Sequence, residues 1–284
     1  MPSMKSLLFV PGDRPERFAK AAASGADVLI LDLEDSVTAD RKAFARAAIA
    51  EHLEARPAGP ALFVRVNPLG SDFQADDLDA LAGLRPDALV IPKAEGARSI
   101  AAVDRLLEAR GLTSVPLLPI ATETPLALFH LGSYAEIAHR LAGLTWGAED
   151  LPAAVGAATA REPDGSYTPP YEMARALTLF AAHAAEVPAI DTVFPDFRNL
   201  DGLRGYAARA MRDGFNGMMA IHPSQVPVIN EAFTPSADAI EKARAILAAF
   251  AANPGVGAIQ LDGAMIDAPH RKQAERILRA AAPD

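Results

Sequence analysis

Three short acidic clusters, each at the C-terminal end of an apolar run, carry the chemistry that this sequence can do. They are Leu31-Asp32-Leu33-Glu34-Asp35, Ala121-Thr122-Glu123-Thr124-Pro125 and Trp146-Gly147-Ala148-Glu149-Asp150. Carboxylates at strand C-termini lie on the face where a (β/α) barrel keeps its active site, and a pair of them suits a hard divalent cation. Glu123 and Asp150 fall at the ends of neighbouring expected strands, so they are the expected ligands of Mg2+, with Mn2+ as a substitute. The competing reading makes one of them a helix-capping acid and the other a loop acid. Repetition of the pattern at three strand ends points to an enzyme.

Basic residues flank these acids. Arg65 interrupts the β-branched run Phe63-Val64-Arg65-Val66-Asn67, where a guanidinium can hold the carboxylate or carbonyl of an α-oxo or α-hydroxy acid with two donors. Its rival role is an ion pair with Asp32, Glu34 or Asp35, and the two roles are compatible. Lys93 ends Ile91-Pro92-Lys93; a Schiff base there is the weaker reading beside a metal site that does the same electron-sink work, and a charged partner or phosphate contact is the stronger one. Arg14, in Pro11-Gly12-Asp13-Arg14-Pro15, is either an anion contact at the barrel mouth or a solvated charge at a helix start. His222 reads equally as a hydrogen-bonded histidine or a ligand. Asp267, between Met265-Ile266 and Ala268-Pro269, reads on its own as the cap of a final helix.

The elements that must position these residues form an alternation. Runs rich in Val, Ile and Leu cover residues 6–11, 27–32, 61–67, 88–92, 117–122, 141–147, 189–195 and 217–222. Between them, segments such as 39–56, 94–110, 171–185 and 200–213 space their apolar residues as amphipathic helices do. Eight such units predict an α/β fold, a (β/α)8 TIM barrel over residues 1–232, with a C-terminal helical lid extension over 233–284. A doubly wound sheet is the competitor, but no Gly-x-Gly-x-x-Gly turn follows the first strand, and polar residues follow many strands instead of gathering at one switch point. In the extension a helix is expected over 237–251, a short strand over 256–261, a turn with a helix start over 262–269, and a helix over 270–282.

Composition limits the partners. The 284 residues carry a net charge of −9, which argues against general attraction to nucleic acid or to an anionic membrane. The absence of cysteine removes disulfides, thiolate nucleophiles and Cys-ligated zinc. No apolar stretch reaches transmembrane length and the first residues lack a signal-peptide pattern, so a soluble cytoplasmic protein is expected.

Taken in order, Leu8-Phe9-Val10-Pro11-Gly12-Asp13-Arg14-Pro15, Leu31-Asp32-Leu33-Glu34-Asp35-Ser36-Val37, Val64-Arg65-Val66-Asn67, Ile91-Pro92-Lys93, Glu123-Thr124-Pro125, Gly147-Ala148-Glu149-Asp150-Leu151 and Ala220-Ile221-His222-Pro223 resemble the signature of citrate lyase β-subunit-like proteins. These belong to the HpcH/HpaI aldolase family, together with malyl-CoA and citramalyl-CoA lyases. The resemblance implies a barrel with a lid, assembled as a homotrimer, that holds magnesium through Glu123 and Asp150 and contacts substrate through Arg65 and Glu123. Gly263-Ala264-Met265-Ile266-Asp267-Ala268-Pro269 is similar to the family's lid motif, which makes Asp267 a catalytic acid or base delivered to a neighbouring subunit. The reaction implied is cleavage or formation of a 3-hydroxyacyl-CoA, giving acetyl-CoA or a homologue and a 2-oxo acid, with Arg65 neutralising the reacting oxygens and Asp32, Glu34 and Asp35 orienting Arg65, Lys93 or water. The alternatives are a citrate lyase β subunit acting on a citryl group borne by an acyl carrier protein, and a non-catalytic barrel that binds an acyl-CoA or oxo acid.

Overall fold

The computed structural model describes residues 3–261 and 263–281. Eight parallel strands form its core sheet: β1 (Ser6–Pro11), β2 (Val28–Asp32), β3 (Ala61–Arg65), β4 (Ala88–Ile91), β5 (Leu117–Pro119), β6 (Leu144–Thr145), β7 (Ala189–Asp191) and β8 (Gly217–Ala220). Their order, β5-β4-β3-β2-β1-β8-β7-β6, places β5 and β6 at the two ends of the ladder. Parallel bridges Leu117↔Leu141 and Ile120↔Thr145 join those ends. The sheet therefore closes, and the fold is a (β/α)8 barrel.

Strand alternation explains what the barrel holds. Leu7, Val28, Ile30, Phe63, Val90, Leu118, Ile120, Ile190 and Met219 fill the interior, with Phe9 and Ala61 packed against them. Asp32 follows Ile30 by two residues and Arg65 follows Phe63 by two, so both continue the inward-facing rows at the C-terminal end. The register pairs Asp32 with Arg65 directly. From β3 to β8 the strands stop short of the end of their apolar runs, and the residues beyond them leave the ladder to reach the mouth. Helices such as Lys42–Ala55, Ala97–Glu108, Pro169–Ala184 and Leu200–Asp213 cover the outside. No helix among the described residues is long and apolar enough to cross a membrane.

One compact unit ends at Asn230 and a second begins at Glu231. The second contains helix Ala237–Ala252, β9 (Ala258–Leu261), β10 (Ala264–Asp267) and helix Ala268–Ala281. Ser236 caps the first helix by accepting from Ala239 N–H. The short strand expected over 256–261 is β9, but the helix start expected within 262–269 is corrected: β10 takes its place and pairs antiparallel with β9 through Leu261↔Ala264 and Asp267↔Ala258. Gly263, at φ +81°, supplies the left-handed conformation that the reversal needs. Alternation of Met265, exposed, with Ile266, buried beside Ala243, Ile246 and Ala274, is a strand pattern too short to stand out from the helix that follows. Asp262 and Ala282, part of the expected turn and last helix, lie outside the described residues.

Closure leaves no slack at β8, where a Cβ on Gly217 would lie 1.8 Å from the Met4 carbonyl oxygen. Gly217→Ala is expected to lower stability by about 2–4 kcal/mol, read as a lower urea midpoint at unchanged slope.

Candidate active site

The inward row at the barrel mouth begins with an ion pair. Arg65 Nε and Nη2 each donate to one oxygen of Asp32, at 2.7 Å and 2.7 Å, in a bidentate fork. Asp32 is 1% exposed and Arg65 9%, so each makes burial of the other tolerable. Burial opposes ionisation of Asp32, but Arg65, the Ser36 hydroxyl and the Glu34 amide outweigh it and hold its carboxyl below the usual range. Burial likewise opposes the charge on Arg65, and the Asp32 pairing overrides it. The guanidinium lies 4.8 Å from the Phe9 ring centroid, seated on the uppermost ring of the core.

Around this pair the charges follow the strand order. Glu34, just beyond β2, places Oε1 2.8 Å from Lys93 Nζ and Oε2 2.9 Å from Arg65 Nη1. The second contact is not aligned as a hydrogen bond, which leaves Glu34 Oε2 a buried oxygen without a hydrogen-bond partner. Burial pushes the Glu34 carboxyl up despite both cations. Lys93 is left-handed at φ +52°. Its amide donates to Glu123 Oε2 at 2.5 Å and its Nζ lies 3.7 Å from Asp150 Oδ1. Glu34 and the neighbouring acids raise its pKa although burial opposes this, which disfavours the neutral amine that a Schiff base requires.

Glu123 is 4% exposed. Burial first, and then the nearby Glu34 and Asp150, push its carboxyl up to about 8. Asp150 opens the short helix Asp150–Val155 beyond β6 and is partly exposed. Gly147 lets these segments meet, since a Cβ there would lie 2.6 Å from Glu123 Cγ. Two hard carboxylate donors beside one lysine, one of them reluctant to ionise for want of positive charge, fit a small divalent cation. Among the described residues no three His, Cys, Asp or Glu side chains gather on one point. Such a cation would therefore complete its shell from substrate and water oxygens, as magnesium commonly does.

Asp32, Glu34, Arg65, Lys93, Glu123 and Asp150 are thus brought together. Asp35 stands at the rim, 57% exposed and 3.6 Å from Arg65 Nη1. Arg14 is 54% exposed, its Nε 3.9 Å from Asp13 Oδ1. His222 accepts from Ser224 N–H and stacks on Phe197 at 4.8 Å, the satisfied-histidine alternative. Asp267 belongs to the second unit, where His270 Nδ1 lies 2.6 Å from its Oδ1.

Two supporting side chains went unread in the sequence. Lys42, buried, donates to the carbonyls of Leu33 and Glu34 at 2.7 and 3.1 Å and so fixes the backbone that carries Glu34. Asp77, 0% exposed, binds the amide and side chain of Asn67 and the Arg46 guanidinium. Both lie on amphipathic helices where a charge reads as a solvated face; the sole signal was an invading charge at an inward helical position.

Residues 5–223 match the family model described as HpcH/HpaI aldolase/citrate lyase. The chain belongs to that family. A second model, for carbon–carbon bond lyases of the TIM-barrel fold, matches residues 173–283. A citrate lyase subunit beta-like protein of Mycobacterium tuberculosis is 38% identical over 96% of this chain and 94% of its own. An L-malyl-CoA/beta-methylmalyl-CoA lyase of Cereibacter sphaeroides is 38% identical over 96% of this chain and 93% of its own. The crystal structure of M. tuberculosis CitE in complex with magnesium, acetoacetate and coenzyme A superposes with a TM-score of 0.82 at 39% identity, covering 98% of each chain.

Because Glu123 must lose its proton to bind a cation, magnesium affinity is expected to rise about tenfold per pH unit below about 8 and to flatten above it. The sign for stability is opposite: a carboxyl raised in the folded state favours folding at low pH, and the metal-free protein loses that contribution as pH rises toward about 8. Calorimetric titrations with magnesium across this range check the first expectation, and Glu123→Gln should remove the dependence.

Proposed function

We propose that this chain is a magnesium-dependent carbon–carbon lyase that cleaves, or forms, a 3-hydroxyacyl-CoA such as a malyl-, citramalyl- or citryl-CoA. The products are acetyl-CoA or a homologue and a 2-oxo acid. The observation that carries this reading is the convergence of Glu123 and Asp150 beside Arg65 at one end of the barrel. Its support is membership of a family of lyases, together with the magnesium and CoA held by the similar CitE structure.

Glu123 and Asp150 hold the cation in this scheme, and Mg2+ supplies Lewis-acid charge that favours the oxo-acid oxygens as they develop negative charge. Arg65 has N–H groups left after its fork to Asp32 and donates them to the substrate carboxylate and oxo oxygen; as a preorganised donor it is worth about 3 kcal/mol in the transition state. Lys93 Nζ lies between Glu34 and Asp150, screening the repulsion of the two carboxylates, and presents its amide to Glu123. In cleavage the hydroxyl gives its proton to solvent water, the carbonyl forms, and the electrons of the carbon–carbon bond pass to the thioester as an enolate. Asp267, from a neighbouring copy, returns a proton to the enolate carbon, and in condensation it removes one. Arg14 contacts an anionic part of the substrate at the rim.

A homotrimer in the cytoplasm is part of this proposal. Met173, Leu177 and Phe180 on helix Pro169–Ala184 are 56%, 38% and 66% exposed at i, i+4 and i+7, an apolar stripe suited to burial between copies. Phe180→Glu is expected to reduce the mass read by light scattering to that of a monomer or dimer.

A second reading is thioester hydrolysis, favoured by one relative, a (3S)-malyl-CoA thioesterase of C. sphaeroides, 34% identical over 98% of this chain. Incubation with malyl-, citramalyl- and citryl-CoA plus magnesium separates the two, because cleavage yields an oxo acid and an acyl-CoA, whereas hydrolysis consumes water and yields free CoA and the intact hydroxy acid. Turnover only of a citryl-acyl carrier protein would instead identify the subunit of a complex. Glu123→Ala and Asp150→Ala should abolish magnesium-dependent cleavage in a folded protein. Arg65→Lys should lower kcat about 10²–10³-fold although charge is kept.

A further inference from the structure

A second buried ion cluster lies outside the barrel lumen, between the wall and its covering helices. Asp191 ends β7 and is 0% exposed, pointing away from the interior row that contains Ile190. Its Oδ1 accepts from Trp146 Nε1 at 2.6 Å, Tyr206 Oη at 3.1 Å and Thr192 N at 2.8 Å. Arg175, from helix Pro169–Ala184, supplies the countercharge with Nε 3.0 Å from Oδ2. Buried carboxylates are costly unless each oxygen is occupied in this way, and a three-residue strand has no need of one.

The connection to the active site runs along the chain from Trp146. This residue is 0% exposed. The next, Gly147, exchanges hydrogen bonds with Thr122, N–H to Oγ1 at 3.2 Å and Oγ1 to carbonyl at 3.3 Å, and packs on Glu123. From the other side the Tyr167 ring meets the indole edge-on at 5.0 Å. Arg161 covers Tyr167 at 4.1 Å and reaches 3.9 Å from Glu149 Oε1. The segment between β6 and Asp150 is therefore anchored at its first residue to Asp191, leans on Glu123 at its second, and is tethered next to Asp150.

We propose that Asp191 is a positioning residue for the carboxylate pair, acting through the Trp146 indole to set the segment that packs on Glu123 and delivers Asp150. The inference rests on Glu123 and Asp150 being the magnesium ligands. Trp146 is the only tryptophan in the chain, so its clamp can be followed directly. Removing a hydrogen bond that orients a ligand typically weakens metal binding by about 10–100-fold.

The test compares two deletions of a donor to the same oxygen of Asp191, in the full chain titrated with magnesium chloride by calorimetry. Trp146→Phe should weaken magnesium binding about 10–100-fold, whereas Tyr206→Phe, which destabilises the same cluster but not the segment, should stay within about threefold of the parent. Equal weakening in both, or none in Trp146→Phe, overturns the inference and leaves the cluster a staple of the fold. If Glu123→Ala binds magnesium like the parent, the metal assignment fails, and the inference with it, by a separate route. Should Trp146→Phe not fold, exchange of the single indole N–H with solvent in the unaltered protein decides. Saturating magnesium should slow it at least several-fold, because a cation that selects the clamped segment opposes its opening; unchanged exchange with magnesium bound counts against the proposal.

Discussion

Charge around the mouth of this barrel is laid out in strand order, and its imbalance governs the site. Carboxylates stand beyond β2, β5 and β6, and the cations Arg65 and Lys93 come from β3 and β4 between them. Arg65 is shared between Asp32 and Glu34, leaving one lysine to face Glu123 and Asp150 as well as Glu34. Glu123 shows the deficit most clearly, with its carboxyl pushed up to about 8 by burial and by acidic neighbours. A divalent cation held there, as proposed, would supply the missing charge where a substrate oxygen could share it.

The scaffold holds this imbalance by making alternatives costly. The inward row places Arg65 on Phe9, so it cannot swing into the core, and the two-bond fork to Asp32 fixes the plane of its guanidinium. Lys93 adopts a left-handed backbone that aims its amide at Glu123. Gly147 admits the Glu123 side chain where any Cβ would displace it. Of these, the left-handed Lys93 stores unfavourable local energy that the closed barrel sustains, and together they leave a set of donors and acceptors already oriented before substrate arrives.

The barrel was legible because strands buried on both faces leave continuous aliphatic runs, and all eight appear where those runs lie. Ends were less legible: residues such as Asn67, Thr122 and Gly147 continue an apolar run yet leave the ladder to serve the mouth. Asp32, Glu34, Arg65, Lys93, Glu123 and Asp150 stood out because a charge at a strand end has few structural uses. Lys42, Asp77 and Asp191 did not, since their partners are backbone carbonyls or residues distant in sequence. The β9–β10 hairpin was half hidden, its second strand being four residues with one buried side chain.

Crystals grown near pH 8 and soaked with manganese, with anomalous differences collected, give the most direct check on the shared cation. A single peak about 2.1–2.2 Å from a carboxylate oxygen of Glu123 and one of Asp150 is the expected result. A peak elsewhere, or none at saturating manganese in the presence of a 2-oxo acid, contradicts it.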